Sequence, residues 1–321
     1  NYNTVVGDEA GTAITTGDEN AALGYNSLRS NTTGSYNTAI GGNALQANTT
    51  AAQNTAIGYS ALHANTTGDF NVSIGSLSLD ANTVGDRSVA VGNLTLSAQN
   101  PASNTDMYNV AVGYSAGAAV TTGVNNTLIG GLAGDSMTTG YSNTGVGKSS
   151  LGGTTTGIKN SALGHGALLN NTTASSNTAV GYAALTANTT ASNNTAVGSQ
   201  SLGANTTGAS NVAVGYLALE DNTTGDGNVA IGKDSLRTNT TGGNNVAIGL
   251  NSLEINTASN NTAVGNNSLI ANTTGASNVA VGALALDANT TASNNTAVGT
   301  SSMGANTTGA ENVAVGSNAL D

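Results

Sequence analysis

The sequence predicts an all-β fold, a parallel β-solenoid of 19 repeats of about 17 residues. Three observations carry that expectation. A motif of Asn, any residue, a usually small residue, an aliphatic residue and Gly places a glycine at 7, 24, 41, 58 and onward to 316. Its 17-residue step is broken only by a 21-residue step (Gly92 to Gly113) and a 16-residue step (Gly249 to Gly265). Ahead of each Gly the residues alternate with a period of two. Finally, aromatic residues are 3% of the chain, with one Phe, no Trp and no Cys, so a thick rounded core has too few large side chains to fill it.

Positions run from 1 to 17 along the copy Asn194 to Ser210, which reads N-T-A-V-G-S-Q-S-L-G-A-N-T-T-G-A-S. Positions 2 to 4 are Thr or Val, usually Ala, then Val, Ile or Leu, and read as a short strand. Val180 and Val197 at position 4 are expected in the core. The small residue at position 3 then faces the other way, where another chain can approach closely. The Gly at position 5 (Gly7, Gly24, Gly41, Gly58, Gly181, Gly198 and Gly215 among them) has no substitute in any copy, which asks for a backbone angle or close approach that a Cβ forbids. Positions 7 to 9, typically S-A-L or A-A-L, read as a second short strand whose Leu (Leu28, Leu62, Leu185, Leu202) faces inward.

The N-T-T-G that follows is turn chemistry. Ala51, Ala174, Ala191 and Ala292 replace Gly at position 15, so a left-handed angle is not obligatory there. Position 9 is Leu in fifteen copies and Met303 in one, but Gly at Gly11, Gly117 and Gly134, and in those three copies position 12 becomes Ile14, Val120 or Met137. Positions 9 and 12 therefore border one interior volume. Stacked in register at about 4.8 Å per turn, the copies make a single elongated domain over 1–321, a rod about 85–90 Å long, with an irregular insertion at 97–108. Asn at positions 1 and 12 forms amide ladders, and the many N-T-T glycosylation sequons read as turn elements.

Charge excludes several partners. Six Lys and Arg against 17 Asp and Glu give a net charge of −11, and the cations are scattered singly, so no basic groove for nucleic acid or charge-driven membrane adsorption is expected. No apolar run reaches the length of a membrane span. Each turn buries about two or three aliphatic side chains, at about 1.5–3 kcal/mol apiece, against about 1–2 kcal/mol of backbone entropy per residue. A thin roll with that balance favours self-association by rotational symmetry.

The N-[TV]-A-[VI]-G core followed by S-x-L resembles the head repeat of trimeric autotransporter adhesins, and the array Asn177 to Gly208 is similar, almost residue for residue, to phage-type tail fibre repeats. The resemblance implies a left-handed β-roll in a homotrimer. Two departures from the adhesin pattern, 17 residues per unit rather than about 14 and no coiled-coil heptads, favour the fibre.

For sites, His63 and His165 are about six turns apart and no nucleophile–base pair joins them, so no enzyme, cofactor or metal site is expected. Tyr25, Tyr59, Tyr114, Tyr182 and Tyr216 recur at position 6, either covering the strand rim or stacking on sugar rings of a host glycan. Pro101, the only Pro, marks the segment Gln99–Tyr108, expected to bulge as a recognition loop. The expected function is the non-catalytic shaft or receptor-binding fibre of a phage-like particle, extracellular or on a virion. It would be joined to a base or anchor protein at one end and attach multivalently to a host-surface glycan or protein. The alternatives are a bacterial adhesin head and, on the Thr at positions 13 and 14, an ice-binding solenoid.

Overall fold

The computed structural model describes residues 2–321 and is a parallel β-solenoid with turns of about 17 residues and no helix among the described residues. The chain divides into two compact units, one ending at Asn160 and one spanning Ser161–Asp321. The first carries the three-residue strands from Thr4–Val6 to Thr144–Val146, and the second those from Ser161–Leu163 to Val313–Val315. Within each unit the strands pair in parallel and in strict register. Thr195, Ala196 and Val197 lie beside Val212, Ala213 and Val214, and a slip of one residue would turn every side chain over.

Position 3 is the inward face. Ala179, Ala196 and Ala213 have no exposure, whereas Val180 and Val197 are half-exposed on the outside with position 2. This corrects two expectations together: Val180 and Val197 are not core, and the small residue does not form an outer face. The reason is the width of the interior. Leu28, Leu62, Leu185 and Leu202 at position 9 reach across it and are fully buried, which leaves room for only a methyl group opposite.

Positions 7 to 9 are not a strand. They form a turn in which positions 7 and 9 both adopt positive φ, +58° at Gln200 and +50° at Leu202. A left-handed Leu costs about 1–2 kcal/mol, and burying its side chain contributes about 1.5–3 kcal/mol, so the turn is stable because its Leu is inside.

Gly at position 5 meets both demands placed on it. Its φ is +137° at Gly181, +140° at Gly198 and +141° at Gly215. A Cβ on any of them would fall on the carbonyl of the same Gly one turn on, 2.6 Å from its carbon. Positions 9 and 12 do share one volume: a Cβ on Gly117 would lie 3.4 Å from Val120 Cγ2, and one on Gly11 would lie 3.0 Å from Ile14 Cδ1. Position 3 shares it as well. Leu128 sits between Gly117 and Gly134, its methyl carbons 2.9 and 2.7 Å from where their Cβ atoms would be.

The other half of the interior is polar and, apart from Asn239 Oδ1, its Asn side chains are paired. Asn194 and Asn205, at positions 1 and 12, both donate a side-chain N–H to the carbonyl of Gly208 at 2.9 Å. Asn205 also donates to Asn188 Oδ1 at 3.0 Å, and the backbone N–H of Asn211 donates to Asn194 Oδ1 at 2.9 Å. Buried amides so arranged satisfy one another along the stack. In the turn where position 1 shortens to Ser88, position 12 lengthens to Gln99. Gln99 Nε2 donates to Ser88 Oγ at 2.9 Å, and its Oε1 accepts from Asn109 Nδ2 at 3.0 Å.

Candidate functional site

The insertion is tied down at both ends. Pro101 is buried, not presented to solvent, because it and Met107 both pack where a Cβ on Gly85 would sit, at 3.1 Å. Thr105–Asp106 then pairs in parallel with Gly85–Asp86 as a small second ladder. Only Ala102, Ser103 and Asn104 project as a freely exposed tip. The expected broad recognition bulge is thus a short one.

The position-6 tyrosines are outward. Tyr25 and Tyr59 stand two turns apart in the first unit with Gly42 between them, and Tyr182 and Tyr216 repeat that arrangement in the second with Ser199 between. Tyr114 is exposed too, with Asn93 and Gly131 at position 6 in the turns on either side. His165 stacks on Tyr182, with ring centroids 5.6 Å apart and planes 8° from parallel. In-register stacking makes such columns inevitable wherever adjacent turns carry rings at the same position. His63 pairs instead with Gln46, its Nε2 2.7 Å from Oε1.

Thr at position 13 is occupied internally: Thr206 Oγ1 donates to the carbonyl of Thr223 at 3.0 Å. In most turns that leaves one exposed Thr, at position 14. Among the described residues, no group of three or more His, Cys, Asp or Glu is placed to hold a metal ion.

Two surfaces escaped the sequence reading. The first is the outer face of the strands. Every residue at positions 2 and 4 is Thr, Ser, Ala, Val, Ile or Leu, and Ile40, Ile74, Ile231 and Ile248 stand out from it. The second is position 17 in the first unit, where Tyr36, Phe70, Arg87 and Tyr108 occupy a column that is mostly Asn and Ser in the second unit. Its signal was visible as a departure from the copy-to-copy pattern. Beside it, burial raises the Asp86 carboxyl above the ordinary range, with the Asp69 and Asp106 carboxylates adding to the effect. Asp86 Oδ1 accepts the Asp69 backbone N–H at 2.7 Å.

No protein-family model matches the sequence, and no curated protein matches it either.

Proposed function

We propose that the chain is the shaft or receptor-binding fibre of a phage-like particle, working outside the cell as a homotrimer and doing no catalysis. The observation that supports this most directly is the uncharged strand face of Thr and aliphatic side chains, repeated in every turn of a chain whose net charge is −11. A partner carrying the same face meets no charge repulsion there, and its side chains recur at the same rise, so knobs and gaps keep step along the whole contact. Three strand-residue widths and one strand spacing per turn give each unit roughly 450 Å² of such face, over half of what a stable interface needs. A stable interface uses about 800 Å² per partner. The trimer interface is therefore assigned to positions 2 and 4 instead of position 3.

The similarity of the N-T-A-V-G and N-T-T-G arrays to tail fibre repeats supports the same reading. Three copies of each weak surface contact then raise avidity for a host glycan or protein, with a base or anchor protein holding one end. Sedimentation tests the assembly: the chain is expected at three times its 31.0 kDa mass. Substituting Asp for outward residues (Val214→Asp with Ile231→Asp) should give a folded monomer. A parent chain that sediments as a folded monomer ends the proposal. Flanking genes for capsid and baseplate support the particle, whereas secretion and anchor genes favour the adhesin reading.

A further inference from the structure

Position 17 is held at positive φ in both units. The values are +63° at Tyr36, +58° at Gln53, +61° at Phe70, +58° at Arg87 and +48° at Tyr108, against +64° at Asn193, +58° at Asn244 and +62° at Asn294. Asn suits that conformation, and a bulky side chain does not. At position 9 the same strain is offset by burying Leu. At position 17 nothing offsets it, because Tyr36, Phe70 and Tyr108 remain 57%, 43% and 51% exposed. Large rings thus sit where local conformation resists them and the core gains nothing, a feature that folding does not account for.

Their spacing indicates a ligand. The backbone N–H at position 17 donates to the position-16 carbonyl of the turn before, Tyr36 to Asp18, Gln53 to Ser35, Phe70 to Ala52 and Arg87 to Asp69. Strand Val110–Val112 pairs in register with Val89–Val91 across the insertion, which keeps Tyr108 in the same column. Successive rings therefore lie two turns apart, about 9.6 Å at the usual strand spacing. Planar, multiply donating side chains occupy the turns between them, Gln53 and Arg87. The Arg87 guanidinium lies 4.9 Å from the Phe70 ring centre and pairs with Asp106, whose Oδ2 accepts from the Tyr108 hydroxyl at 3.2 Å.

A β-1,4-linked hexopyranose chain advances by nearly one strand spacing per sugar and turns over at each one, so every second ring presents the same face along a line. We propose that Tyr36, Gln53, Phe70, Arg87 and Tyr108 form a binding strip for an extended β-1,4-linked polysaccharide. Alternate sugars pack on the three aromatic side chains. The sugars between them accept hydrogen bonds from Gln53 and Arg87 and donate hydroxyls to Asp69 and Asp106. An open strip, unlike a pocket, suits a polymer. The inference rests on the attachment reading for its biological role.

The test is isothermal titration of the intact chain with cellohexaose and chitohexaose, using laminarihexaose (β-1,3) and maltohexaose (α-1,4) as controls. A β-1,4-linked probe is expected to bind and the controls are not. Tyr36→Asn, Phe70→Asn and Tyr108→Asn should each weaken binding about two- to tenfold, and the triple variant should abolish it. Because Asn is native to this column in the second unit, the variants should keep or raise the thermal midpoint, which separates lost binding from lost fold. Equal binding of the controls, a triple variant that binds like the parent, or no binding of any hexasaccharide overturns the strip. Trimeric sedimentation would survive each of those results, so the two proposals fail separately.

Discussion

Gly198→Ala and Gly208→Ala form a matched pair that separates backbone strain from crowding. Each new Cβ would fall against a carbonyl oxygen of the next turn, 2.3 Å from that of Gly215 in one case and 2.4 Å from that of Gly225 in the other. Only Gly198 has positive φ, at +140°. Strain there costs about 1–3 kcal/mol and crowding against the next turn about 1–3 kcal/mol, so Gly198→Ala should lose about 2–6 kcal/mol. At position 15 the chain already shows the remedy. Ala191 sits in that column nearly buried, and its carbonyl still accepts from Asn177 and Asn188 at 2.9 and 3.0 Å. Gly208→Ala should therefore cost under about 1 kcal/mol. Because a solenoid's stability is a sum over neighbouring turns, the suitable assay is native-state hydrogen exchange. Amides of Gly215 and Tyr216 should lose protection in the first variant and keep it in the second. Equal losses in both would refute the argument that φ, more than proximity, makes position 5 glycine-only.

Two further outcomes follow from the interior. Gln99→Ala removes the buried partner of Ser88 and should cost about 1–3 kcal/mol, whereas Ser88→Asn combined with Gln99→Asn rebuilds the ordinary row; chemical denaturation of both single variants and the double should show strong non-additivity. Burial raises the carboxyl pKa of Asp80, Asp86, Asp135 and Asp287, so the native state holds more protons than the unfolded chain just above the ordinary range. Their contribution is fullest below the unfolded value and is lost as pH rises through the folded one. The thermal midpoint should therefore be higher near pH 5 than at pH 7, and Asp86→Asn, which keeps the acceptor for Asp69, should flatten that dependence; a midpoint that falls on acidification contradicts the assignment.

The repeat length, the parallel stacking, the Asn rows and the glycine at position 5 were legible because each is a statement about one column repeated many times. Which side of the strand faces in was not. Alternation says that Val197 and Ala196 point opposite ways, and hydrophobicity then favours Val as the buried one. The deciding fact is that Leu202 arrives from the turn opposite and fills the interior, so the strand can contribute only a methyl. Leu128 held the clue, since a large residue at position 3 coincides with Gly at position 9 in its own turn and the turn before. Positions 7 to 9 misled because S-A-L is short and apolar. Yet Asn26, Asn43, Asn251 and Asn267 at position 7 were signs of left-handed backbone. The position-17 strip was equally visible as a column, but its meaning depends on exposure and φ, which a sequence does not state.

The inward Asn rows bear on how this protein is made. Asn48 and Asn205 each begin an N-T-T sequon, and in the finished stack neither has any surface. A cell that attaches oligosaccharides to emerging chains would place a bulky, hydrated branch on residues that must end up sealed between turns. Expression in a secretory eukaryotic host should yield chains that cannot close their coils, while a bacterial cytoplasm, lacking that modification, leaves every amide free to find its row.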